Sequence, residues 1–179
     1  MRTDAFWALI DEARTGAGGD TEAIATRAAA LLARRDVTEI AGWQRHLRRV
    51  LAASYRVDLW GAAYLINGGA SDDGFEYFRG WLIGQGREVF ARAVAEPDTL
   101  AELPPIRQAA ATGEEFESER MLGIAADAYR QATAAELPPD PDPVPYPEIS
   151  DDFWDFDDEE EARRHLPRLA ALFTEPPPE

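Results

Sequence analysis

The chain has 179 residues, 45% of them hydrophobic and 10% aromatic, no cysteine, and a formal net charge of −16. Such a composition specifies one globular domain with a sizeable core and excludes a disulfide framework or a thiolate metal site. The acidic field excludes nucleic-acid binding through a broad basic surface, and the absence of any run of roughly 18 apolar residues excludes a membrane span.

The charge is unevenly placed. Residues 1–96 hold 12 Arg against 13 acids, whereas residues 97–179 hold 6 Arg against 21. Asp4, Asp11 and Glu12 interrupt the apolar run at the N-terminus, so no secretory signal is read there and the cytosol is the expected compartment.

Taken in chain order, most segments read as helix. Thr3 or Asp4 can cap a first helix, with Phe6, Leu9, Ile10 and Ala13 at helical spacing. Asp20 caps a second, carrying Ile24, Ala28, Leu31 and Leu32. Asp36 to Glu39 has the form of a capping box before a third, whose apolar stripe runs Val37, Ile40, Trp43, Leu47, Val50, Leu51 and Ser54. Leu59 to Ile66 is apolar all round, which predicts a short helix buried on every side and stopped by Asn67-Gly68-Gly69. Ser71-Asp72-Asp73 opens the next helix, with capping-box spacing from Asp73 to Glu76; Phe75, Phe78 and Leu82 form its apolar row. Residues 87–95 continue it after a bend, and Pro97 ends it.

Beyond Pro97, Asp98 caps a short turn, Phe116 to Leu122 reads as a strand or a turn, and Ile124 to Glu136 reads as helix. The Pro-rich residues 138–150 predict an extended strap over the surface, because each proline biases its predecessor away from helix. Asp157 or Asp158 can cap a last helix, followed by a disordered tail at 176–179. The expected fold is mostly α: a single-domain irregular helical bundle over residues 1–175, with the strap inside it and a C-terminal helix.

The stretch Asp58 to Phe90, DLWGAAYLINGGASDDGFEYFRGWLIGQGREVF, resembles a bacterial family common in actinobacteria, the domain of unknown function "forty-two forty". FWALIDEAR near the start, AADAYRQATAAELP at residues 125–138 and the terminal WDFDDEEEARRHLPRLAALF fit the same resemblance. The family turn often reads GGCSDDGF; Ala70 replaces that cysteine here, which counts against thiol chemistry. The resemblance implies a mostly helical domain and no established activity.

The turn Asn67 to Gly74 is the foremost candidate site. In one reading Asp72 and Asp73 ligate Mg²⁺ or Ca²⁺, helped by Asn67 or Ser71. In the other, Ser71 or Asp73 caps the helix while Asp72 pairs with an arginine. Arg79, in an apolar helix, either binds a substrate carboxylate or phosphate or forms an internal ion pair with Asp58, Asp72 or Asp73. Trp60, Tyr64 and Trp81 would supply the aromatic walls of such a pocket. His46 reads as packed at the edge of its helix stripe. The acidic run Asp151 to Glu161 is expected to dock across the Arg-rich segment 27–56, anchored by Phe153 and Trp154.

The sequence favours an interaction or regulatory module binding a basic protein partner, a monomer by default and without a cofactor. The alternative is an enzyme, small-ligand or metal-binding protein using the Ser71-Asp72-Asp73 turn and Arg79. A structural part in a larger assembly is a third reading.

Overall fold

A computed structural model describes residues 3–149 and 153–174. Asp151 and Asp152, and the tail expected at 176–179, lie outside the described residues. Those described form α-helices and one 3₁₀ turn, with no strand among them. Helix α1 (Thr3–Arg14) buries Phe6, Leu9, Ile10 and Ala13 at the predicted spacing, with Trp7 alongside. It packs on α2 (Thr21–Leu32), which packs in turn on α8 (Ile124–Thr133). The Asp20 carboxylate caps α2 by accepting from Glu22 N at 3.0 Å and Ala23 N at 3.1 Å.

Helix α3 (Val37–Ala53) buries Ile40, Trp43, His46, Leu47, Val50 and Leu51. Two expectations fail at its start. Val37 is 44% exposed, and the Asp36 side chain makes no cap bond. The carbonyl of Asp36 takes the first helical bonds, from Glu39 N and Ile40 N, while its carboxylate faces solvent.

Helix α4 (Val57–Asn67) is apolar on every side, as expected for an element covered from several directions, and ends at Gly68 in the left-handed conformation. It contacts α5 (Asp72–Gly84), the 3₁₀ turn (Pro97–Glu102), α7 (Pro104–Thr112) and α10 (Pro167–Phe173). Its remaining face carries Trp154 and Phe156. The Trp154 ring lies so close over Gly61 that any Cβ there would overlap it. The expected bend after α5 is a full break, and α6 (Arg87–Ala95) is a separate helix beginning after Gly86. Residues 113–123 form no strand: 113–118 are irregular and 120–123 form turns, with Ser118 N donating to Tyr77 O at 2.9 Å and Phe116 buried against Trp81.

Residues 138–149, where the strap was expected, form neither helix nor strand and bend at 141–142. Asp140 accepts from Arg45 Nε at 2.8 Å, and that bond holds its carboxyl down to about 2; Tyr146 meets Tyr55 edge-on at 4.8 Å. The described part of the acidic stretch, residues 153–161, makes no ion pair with the arginines of segment 27–56. Trp154 and Phe156 are buried on α4, while Phe153 is 53% exposed. Glu159 and Glu161 pair with Arg163 and Arg164 of their own helix, α9 (Glu159–His165). The reason is local: i,i+3 and i,i+4 partners are in reach as soon as the helix forms.

The expected single last helix is two. Asp158 caps α9 through Glu160 N and Glu161 N, and Pro167 then starts α10. Pro167 lacks the N–H that would continue α9, and the orphan donors of the new helix find a remote cap. The buried carboxylate of Asp98, in the 3₁₀ turn, accepts from Arg168 N at 3.0 Å and Leu169 N at 2.9 Å. The Arg168 side chain closes the junction on Glu96 and Glu102.

Two substitutions test this architecture. Asp98→Ala should lower stability by about 2 kcal/mol, the upper end for a lost cap, read from urea unfolding. Gly61→Val should expel the Trp154 ring from α4, seen as a red shift in tryptophan emission together with a lower thermal midpoint.

Candidate functional site

The Ser71 corner closes a helix. Ser71 Oγ accepts from Gly74 N at 3.1 Å, the bond that an N-cap serine makes. Asp72 and Asp73 lie exposed in the first turn of α5, and neither side chain makes an ion pair or hydrogen bond with another described residue. The cap is therefore Ser71 alone, and the arginine partner expected for Asp72 is absent among the described residues. Asn67 also acts in the backbone: its side-chain amide exchanges two hydrogen bonds with Phe116, Oδ1 accepting at 3.0 Å and Nδ2 donating at 3.3 Å. Among the described residues no group of three or more His, Asp or Glu is placed to hold a metal ion.

Arg79 is 1% exposed and takes none of the three carboxylates expected for it. Its Nη1 donates to Leu51 O at 2.8 Å and its Nε to Phe75 O at 3.3 Å. The guanidinium carbon lies 4.4 Å from the Phe75 ring centroid, 5.1 Å from Tyr55 and 5.7 Å from Tyr146. Carbonyl dipoles and aromatic faces thus replace the counter-charge. Trp60 stacks on the far side of this group, 5.0 Å from Phe75 at 11°, with its Nε1 donating to Ala70 O at 2.9 Å.

The other residues singled out from the sequence divide between two places. Asp58 accepts from Trp154 Nε1 at 3.0 Å and lies 3.1 Å from His165 Nδ1, while the His165 ring stacks on Trp154. Tyr64 donates to Asp157 at 2.5 Å, a bond that pushes its phenol pKa up. These contacts bind residues 154–165 to α4. Trp81 is buried between Phe78 and Phe116. The structure therefore brings Trp60 close to the Arg79 cage, sets Asp58 and Tyr64 on the C-terminal seam, and leaves Asp72 and Asp73 at the surface.

A concave site lies elsewhere, between α2, α3, α5 and the residues leading into α8. It is a groove of ≈ 710 Å³ with Leu47, Leu51, Leu122 and Tyr77 among its lining. Glu22, Glu76, Glu119 and Asp127 supply its carboxylates. Arg48 lies 3.8 Å from Glu76, Arg120 lies 3.3 Å from Glu22 and Arg130 lies 3.0 Å from Asp127, which offsets part of the charge and leaves Glu119 without an ion pair among the described residues. The field of Glu119, then partial burial, then the fields of Asp73, Glu76 and Glu117 all push the Tyr77 phenol above its usual range. Burial and Glu115 likewise raise the Glu117 carboxyl. Sequence reasoning missed this groove. The one signal available was the acid density of GEEFESER at 113–120, which only the packing of that loop against α5 turns into a face.

Fold and surface together define an all-helical domain built around a caged arginine, with an acid-lined groove beside it. The chain belongs to the family described as Protein of unknown function (DUF4240), whose model matches residues 1–131. No curated protein and no solved structure matches the chain. No helix among the described residues is long and apolar enough to cross a membrane.

The corner and the cage respond differently to substitution. Ser71→Ala should cost about 1 kcal/mol, whereas Asp72→Asn and Asp73→Asn should each move the thermal midpoint by less than about 2 °C. Arg79→Ala should cost about 2–4 kcal/mol through the emptied cage. Urea and thermal denaturation of the four variants check this order.

Proposed function

We propose that the protein is a non-catalytic interaction module of the cytosol that receives a basic segment of a partner protein in the acid-lined groove. The observation that carries this reading is the lining of the groove, where Glu22, Glu76, Glu119 and Asp127 outnumber Arg48 and Arg120. The Glu119 carboxylate makes no ion pair with a described residue, and its field, which raises the Tyr77 phenol, favours the approach of a cation. Half-buried Leu122 and the Tyr77 ring give the aliphatic stem of a lysine or arginine a surface to lie on. Exposed ion pairs add only about 0.2–1 kcal/mol each, so recognition is spread over several contacts and is weakened by salt. Substrate binding at Arg79 lacks comparable support, because its guanidinium is shut away from solvent.

The test is a calorimetric titration with a short peptide alternating arginine and leucine. The triple variant Glu76→Gln, Glu119→Gln, Asp127→Asn should bind at least tenfold more weakly and with a shallower salt dependence. The control triple Asp155→Asn, Glu159→Gln, Glu160→Gln removes the same formal charge from the C-terminal segment and should bind like the parent. Equal losses in the two triples would mean that the peptide reads net charge and not this groove.

A further inference from the structure

We propose a second binding site, for a small organic anion with an oxyanion head on an apolar body, in the groove between α1, α3 and α6. The groove has a volume of ≈ 880 Å³, within the range of small-molecule sites, and lies apart from the acid-lined one. Trp7, Val50, Phe90 and Val94 give it an apolar wall, the Trp7 and Phe90 rings packing at 5.3 Å.

Its charge is the reverse of the molecule's. Three arginines, Arg49, Arg56 and Arg87, line it against one carboxylate, Asp4, in a chain whose net charge is −16. Asp4 accepts from Arg87 Nη1 at 2.9 Å and accounts for that cation. Arg49 and Arg56 are exposed and make no ion pair with any described residue, although the field of Arg49 reaches Asp140. In a protein with almost twice as many acids as arginines, two guanidinium groups without an ion-pair partner among the described residues, beside an apolar wall, form a receptor for an oxyanion. Their planar forks match a carboxylate or a phosphate.

His46 completes the wall. It is 8% exposed, and its ring lies 4.8 Å from Phe6. Burial first and Arg49 second hold its pKa below the usual value, so it meets a ligand as a neutral ring and not as a third cation. The apolar wall selects the body of the ligand, and the two unpaired arginines select its head.

Octanoate and octyl phosphate share this chemistry, with octanol and octylammonium as the neutral and cationic counterparts. Isothermal titration of the intact protein should show saturable one-to-one binding of at least one octyl anion, with octanol and octylammonium at least tenfold weaker. The tighter of the two anions identifies the head group. The double variant Arg49→Ala, Arg56→Ala should weaken the anion at least tenfold. Ala91→Trp, at an exposed position on α6 that lines the groove, should abolish binding; circular dichroism confirms that both variants keep their helix content. Absence of saturable binding by either anion, equal binding of octylammonium, or undiminished affinity in the double variant would overturn the proposal.

Discussion

The arrangement around Arg79 constrains the rest of the structure. A guanidinium stays charged at any pH a folded protein survives, so its removal from water must be matched by other polar groups. A carboxylate is the usual answer, and none among the described residues is used here. Leu51 O from the end of α3 and Phe75 O from α5 accept its protons, and Phe75, Tyr55 and Tyr146 offer ring faces. The cage draws on α3, the residue that follows it closely, α5 and the strap, so it exists only when all of these are in place. That requirement gives the proline-rich residues a structural task. Tyr146 is delivered to the cage by a backbone that cannot coil into helix, and Asp140 fixes that backbone on Arg45.

A second constraint comes from α4. A helix with so little polar surface is costly to leave in water, so the chain must cover most of it. Helices α5, α7 and α10 and the 3₁₀ turn cover part of it, and residues 154–165 cover more, leaving Asp58 and Tyr64 partly exposed. Gly61 makes room for the Trp154 indole, and Asp58 and Tyr64 supply polar anchors at the edges of the seam. Asp98 holds α10 in place by acting as a cap from 70 residues earlier in the chain. Residues beyond the family-matched span 1–131 thus contribute to this chain's core through Trp154, Phe156, Leu166 and Leu169.

What could be read from the sequence follows from range. Periodicity and caps are local, so α1, α2, the end of α4 and the start of α5 appear where Phe6, Asp20, Gly68 and Ser71 mark them. The capping box at Asp36 fails although its letters are right, because a cap residue's carbonyl can enter the helix while its side chain remains in water. Arg79 was visible as a buried cation, but not its partners. Carboxylates can be listed from a sequence, whereas backbone carbonyls and ring faces become available only through tertiary packing. The division of the last helix shows the same limit. Pro167 marks a break, yet the donors it exposes are satisfied by an aspartate that sequence reading assigns to another turn.

Helix α3 shows how one element creates surfaces of opposite sign. Leu47, Arg48 and Leu51 line the acid groove, while His46, Arg49, Val50 and Ala53 line the other. The two sets follow helical spacing and differ by about 100° per residue step around the axis, so adjacent arginines point to different neighbours. Arg48 meets Glu76 from α5 and is partly neutralised. Arg49 faces the groove to which α6 contributes Arg87, whose charge Asp4 already answers, and Arg49 itself makes no ion pair with a described residue. The helix brings basic residues to both sides; the character of each groove is decided by what packs opposite. A chain of this net charge can therefore keep a cationic pocket, provided the helix facing it withholds acids, and α6 places Phe90, Ala91, Val94 and Ala95 on that wall.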